Sequence, residues 1–309
     1  MRESSSCRVE RCNTDVVLRR LRHLVQKATQ FRRFVSEFRG ARPRLVYLAG
    51  LVVARSRLTD PPLTLHMAQD IRWDVLAPAR GVIDNRPVSV VVRTTAGHAR
   101  HDVMALTEVA HDYFRGTTAL VVPGGVVVDA GANVGMYSVL VALAQPTAIV
   151  HAFEPIATSF SAAQANVTVN GVADRVKLNQ MALGSEAKSE RLSLTCRGRQ
   201  GTLCADLLSR LNGTGATEVV SVIRLDDYCE IIGVERVDVL KLDVEGYEAN
   251  VLEGARRTLA HTRVVVMEWH SPERAQRADR LLTQAGLVLV APFSDAFHQT
   301  VGIGYWARQ

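Results

Sequence analysis

Two hydrophobic periods alternate along most of this chain. Residues 126–128 are three consecutive valines, the composition of a strand buried on both faces. Asp129-Ala-Gly131-Ala-Asn133-Val-Gly135 follows, and then an apolar run over 136–144 with the composition of a helix. The order repeats downstream, with a strand at 148–153, a helix at 156–170 stopped by Gly171, and a short strand at 176–179. Next come a strand at 237–242, a helix at 247–259, a strand at 263–269 and a helix at 272–285. Strands at 287–291 and 302–306 close the pattern as an antiparallel, hairpin-like pair. Alternating strands and helices predict a parallel sheet with helices on both faces. Residues 190–224, rich in Gly, Ser and Thr, break the alternation and read as an insertion with strands at 191–195 and 219–224.

The first third of the chain is patterned differently. Leu18, Leu21, Val25, Ala28, Phe31, Val35 and Phe38 recur at spacings of three and four, with Arg19, Arg20, Arg22, Lys27, Arg32, Arg33 and Arg39 between them. Residues 17–39 are therefore expected to form a basic amphipathic helix. Its apolar face suits packing on its own domain or on a second copy in a homodimer, and its charge suits peripheral contact with an anionic membrane. Residues 41–75, interrupted by Pro43 and by Pro61-Pro62, read as a connector. A strand is expected over 88–93, and Asp102 is placed to cap a helix through Met104, Leu106, Val109 and Tyr113. The expected division is an extension and connector over 1–75 and a main domain over 76–309.

Charge sharpens that division. The net charge of +6 over 309 residues is uneven, since residues 1–60 hold 14 Lys and Arg against 5 Asp and Glu. The main domain is slightly acidic and shows no aromatic–basic interleaving, which argues against a nucleic-acid partner. The five cysteines form no CxxC pair and have no histidines at zinc spacing, a pattern of reduced thiols. The amino terminus is arginine-rich where a secretory leader would be apolar, so a cytoplasmic location is expected, with peripheral membrane contact through 17–39 as its one elaboration.

The candidate chemistry gathers at the carboxyl ends of the expected strands, the usual ligand crevice of such a sheet. Asp129 ends the first strand, where its carboxylate can receive the ammonium of an amino-acid-like ligand. Gly131, Asn133 and Gly135 let loop amides approach the ligand's carboxylate. Glu154 ends the next strand, 25 residues on, where an acid can accept both hydroxyls of a ribose. The apolar Met181 and the backbone of Ala182 fall where an adenine edge would lie. A GxGxxG fingerprint is absent from the loop, which weakens an NAD-dependent oxidoreductase as the alternative. On the acceptor side, Asp243 and Glu245 leave the strand at 237–242, and Glu268 and His270 end the strand at 263–269. These three carboxylates and one imidazole can form a general-base network, bind one Mg²⁺-like ion, or serve structure alone. The base network is the expectation, and no metal is assigned.

Several blocks together carry a family resemblance: residues 127–135, Phe153-Glu154-Pro155, Asn166 with Asn170-Gly171, Ala182-Leu183-Gly184, Leu225-Asp226-Asp227, residues 240–248, residues 251–255 and Glu268-Trp269-His270. In this order they resemble the FkbM family of S-adenosylmethionine-dependent methyltransferases, over about residues 88–270. The resemblance implies a class I methyltransferase fold: a Rossmann-like, doubly wound α/β sheet of seven strands, mostly parallel with an antiparallel last strand, here with a basic helical extension. It also implies S-adenosylmethionine as cofactor and O-methylation of a hydroxyl on a small-molecule or glycolipid acceptor such as a sugar or polyketide. A module that keeps cofactor binding without catalysis is the remaining alternative.

Overall fold

The computed structural model describes residues 120–195, 201–203, 213–293 and 302–308, with Thr117 and two short strands upstream. Those two, β1 (Leu63–Leu65) and β2 (Val90–Val92), pair antiparallel, and β2 lies inside the strand expected at 88–93. The expected helices at 17–39 and from 102 lie outside the described residues, as does most of the connector.

The main sheet is built from β3 (Val126–Ala130), β4 (Ile149–Phe153), β5 (Val176–Asn179), β10 (Val237–Leu242), β11 (Thr262–Trp269), β12 (Leu287–Phe293) and β13 (Gly302–Arg308). Its order is β12-β13-β11-β10-β3-β4-β5, and β13 runs antiparallel to both of its neighbours. This is the seven-stranded, mostly parallel sheet that the resemblance implies. The order reverses at β3, between β4 and β10, and so opens a crevice at the carboxyl ends of these three strands.

Helices cover both faces. Helix α1 (Met136–Ala144) follows β3, and α2 (Ala157–Val169) follows β4. Val127, Val150, Val239 and Val266 join Tyr137, Leu140 and Val167 in one apolar layer. Val128, Phe153, Leu240, Leu242 and Met267 join the helices of the other face. Those helices are α3 (Leu225–Ile232), α4 (Glu248–Glu253), α5 (Arg256–Ala260) and α6 (Pro272–Gln284). Helix α6 starts as its sequence dictates, with Ser271 accepting a bond from the Arg274 amide and Pro272 at the first position.

Three features depart from the sequence pattern. The single helix expected over 247–259 is two helices. A Cβ on Gly254 would lie 1.9 Å from the Gly184 carbonyl oxygen, so the chain passes too close there for any side chain. Helix α5 restarts on a cap supplied from α3, where the buried Asp226 carboxylate accepts from the Arg257 amide (3.1 Å) and the Thr258 amide (2.8 Å). Helix α3 is the second departure, since the alternation assigns no helix to 225–232. The third is the insertion, which forms a sheet of its own: β6 (Ala182–Leu183), β7 (Lys188–Thr195), β8 (Gly201–Thr202) and β9 (Gly213–Ile223), in the order β6-β9-β7-β8.

Candidate active site

The glycine turn between β3 and α1 is held from the side of β4. The amides of Gly131 and Ala132 both donate to the Phe153 carbonyl, at 3.0 and 2.9 Å. Gly131 has φ +80°, and a Cβ there would lie 1.8 Å from the Asp243 carbonyl oxygen, so the turn rests directly on the end of β10. Gly135 (φ +76°) starts α1 against Ala163 of α2. Asn133 takes a left-handed φ of 51°, and its amide donates to Glu154 Oε2 at 2.8 Å. Turn and acid are thereby joined.

Glu154 is 5% exposed, and its Oε1 accepts from the Ile156 amide at 2.9 Å. Burial pushes its pKa up to about 7, against the two amide bonds that favour the carboxylate. An acid with a raised pKa at a crevice mouth gains from hydroxyl donors, which is what a ribose offers. Beyond β5, Met181 is half-buried against the apolar layer that holds Phe153 and Leu183, and Ala182 is buried within β6.

Asp129 is used differently from its sequence expectation. It is fully buried, with Oδ2 accepting from the Ser138 hydroxyl at 2.7 Å and Oδ1 3.0 Å from the Lys241 ammonium. An internal ammonium occupies the carboxylate that the sequence reading gave to a ligand's ammonium. Asp129 and Lys241 are register partners on adjacent strands and project to the same face, so they meet beneath the turn. Lys241 also donates to the Gly131 carbonyl at 2.8 Å and lies 3.8 Å from Asp243 Oδ2. Burial disfavours its charge, but Asp129 and Asp243 outweigh that and raise its pKa. The sequence reading gave Lys241 no role of its own. The available signal was a lysine two residues after Val239 on the same face of a buried strand, where an ammonium needs a partner.

The acceptor-side residues converge in part. Asp243, Glu245 and His270 lie with ligand atoms within 4.8 Å of one another, close enough to hold one cation. His270 Nε2 is 3.2 Å from Glu245 Oε2, and its Nδ1 is 3.5 Å from Glu248 Oε1. Burial opposes protonation of this ring, yet the two carboxylates prevail and hold its pKa at about 11. The carboxylates around it favour the protonated ring, a direction away from the near-neutral base of the sequence reading. Glu268, at the end of β11, lies near enough to Lys241 to add to its field but is not one of the three cation-competent groups.

The turn that carries Glu245 draws on three elements. Glu245 has φ +51°, its carbonyl accepts from the Thr202 hydroxyl of β8 at 2.7 Å, and the Gly246 amide donates to Glu248 Oε1 at 2.8 Å. Arg274 of α6 donates to the Gly246 carbonyl. The insertion therefore reaches the rim through Thr202, which is buried, and no local motif around it announces this contact.

A sequence profile of the methyltransferase FkbM domain matches residues 129–289, from the end of β3 past the whole rim. The chain belongs to the FkbM methyltransferase family. It is 33% identical over 205 residues to the 31-O-demethyl-FK506 methyltransferase FkbM of Streptomyces tacrolimicus, covering 58% of this chain and 78% of that one. It is 28% identical over 165 residues to the 2-O-methyltransferase NoeI of Sinorhizobium fredii, covering 49% and 65%. The solved structure of an FkbM methyltransferase from Methylobacillus flagellatus aligns at a TM-score of 0.44 and 13% identity, over 92% of this chain and 60% of that chain. As an FkbM protein the chain is a methyltransferase with S-adenosylmethionine as its cofactor. The crevice fits this cofactor: a turn too close-packed for a side chain at Gly131, a buried acid in Glu154, and carboxylates able to face a sulfonium.

Proposed function

We propose that this FkbM protein is an O-methyltransferase acting on a hydroxyl of a sugar, glycolipid or polyketide-type natural product. The observation that carries the reading is the carboxylate of Asp243. Its side chain is 28% exposed at the end of β10 and shares the rim with the Glu245–His270 pair, while the Asp243 backbone rests against the glycine turn. Two relatives, named for O-methylation, support oxygen as the acceptor atom.

The bound cofactor supplies a methyl group on a positively charged sulfur, ready for in-line displacement. In this reading Glu154 accepts the ribose hydroxyls and the Gly131–Gly135 turn seats the amino-acid end. Met181 and Ala182 border the base. Asp243 orients the acceptor hydroxyl and takes its proton as the oxygen is alkylated. His270, held between Glu245 and Glu248, fixes the rim. Alignment supplies most of the rate, and a base at this position adds roughly 10²–10⁴-fold.

A second reading gives Asp243, Glu245 and His270 to one divalent cation that lowers the acceptor's pKa, and their mutual distance favours it. The test compares extracts of a deletion strain with wild type by mass spectrometry, searching for a product lighter by one methylene. The purified protein and S-adenosylmethionine are then added back. Restoration of an O-methyl product is expected. Methylation at nitrogen or carbon, or cofactor binding without turnover, would sink the reading. Asp243→Asn is expected to lower kcat by about 10²-fold, and activity that survives exhaustive EDTA treatment removes the cation.

A further inference from the structure

The geometry points to Lys241 as a positioning residue that couples the cofactor turn to the acceptor rim. Its ammonium is bonded to the Gly131 carbonyl (2.8 Å), paired with Asp129 (3.0 Å) and directed at Asp243 (3.8 Å). Gly131 belongs to the cofactor turn. Asp243 belongs to the acceptor rim, an assignment that rests on the function proposed above.

The three contacts form one mechanical unit. Asp129 is anchored on its far side by Ser138 of α1, and the Asp243 amide donates to the Ala130 carbonyl at 3.0 Å. Gly131 already touches the Asp243 backbone, so these bonds fix the backbones of turn and rim. The Asp243 side chain is part-exposed, and the Lys241 ammonium lies 3.8 Å from it. Displacement along a single line tolerates errors of only about 0.5 Å. A buried ammonium shared by the two halves can hold that registry. Its charge also leaves the Asp129–Lys241–Asp243 group one net negative charge, which matches the single positive charge of a sulfonium.

The experiment is a binding cycle that needs no acceptor. S-adenosylmethionine affinity is measured calorimetrically for wild type, Lys241→Gln/Asp129→Asn, Asp243→Asn and the triple variant, with thermal melts to establish folding. The double variant removes a buried pair together, so it strands no charge. Asp243→Asn is expected to weaken binding about fivefold in wild type and less than twofold in the double variant, which itself binds about tenfold more weakly. Independent, multiplicative effects, or a folded double variant that binds within twofold of wild type, would overturn the proposal. Should the double variant fail to fold, Lys241→Arg takes its place, because the longer, forked cation keeps the charge and loses the contact geometry. Unchanged affinity with full sensitivity to Asp243→Asn in that background also overturns it. Absence of an O-methyl product would remove the proposed acceptor chemistry and leave this binding result standing.

Discussion

Asp129 and Glu154 both end strands at the crevice, yet their carboxylates meet different partners. Spacing placed each at the rim, but spacing carries no record of which face of the sheet a side chain meets. Asp129 turns to the face that also holds Lys241, and its charge is neutralised there. Glu154 is held by two amides, and burial, the largest influence on it, raises its pKa to about 7. Ribose hydroxyls donate to the ionised form, so cofactor affinity should rise with pH through 7 and level off above about 8. If only the carboxylate binds, the ionised fraction predicts about a 10-fold gain between pH 6 and pH 8. Calorimetry at three pH values checks this, and Glu154→Gln should bind weakly and without the slope. A pH-independent wild type would mean that Glu154 does not contact the cofactor.

The core elements follow from local pattern: the helix expected at 136–144 and the strands expected at 176–179 and 237–242 have those bounds in the structure. In the insertion the strands expected at 191–195 and 219–224 overlap β7 and β9, but the pairing of its four strands is long-range and no periodicity records it; Lys188 meets Val222 across it. The break at Gly254 escaped for a similar reason, since its cause, the Gly184 carbonyl, lies 70 positions away in sequence. Helix α3 was legible in principle: Leu225, Tyr228, Cys229 and Ile232 keep helical spacing, and Gly233 closes the helix in the left-handed region. The same long-range logic gives the insertion a functional consequence through Thr202. Thr202→Val keeps the shape and deletes the bond to the Glu245 carbonyl, loosening that left-handed turn on the side of the insertion. One lost hydrogen bond costs about 1 kcal/mol, or roughly 2–4 °C in melting temperature for a domain of this size. Cofactor affinity should stay within about twofold, while kcat falls roughly 3–10-fold. A variant that loses cofactor affinity and turnover together would instead tie the insertion to the cofactor side.

For the molecule as a whole, the cofactor crevice sits where β4, β3 and β10 meet, so a ligand there bridges both halves of the sheet. A ligand that binds only the folded state stabilises it by about 2.7 kcal/mol at a concentration 100 times its dissociation constant. That corresponds to roughly 5–10 °C in melting temperature. The pH dependence of this increment follows from Glu154. Its folded pKa lies above the unfolded value of 4.5, so the folded state without cofactor holds that proton more tightly. The stability from this group is fully present below about pH 4.5 and is lost as pH rises through 7. Ligand hydroxyls favour the ionised carboxylate and oppose the loss. Between pH 5 and pH 8, the Glu154 contribution should lower the melting temperature of the cofactor-free protein while the increment from S-adenosylmethionine grows. Glu154→Gln removes the titrating proton, so subtracting its pH profile from that of wild type isolates this contribution in paired melts. If the increment in wild type shrinks with pH, the acid acts on the fold alone and the cofactor does not meet it.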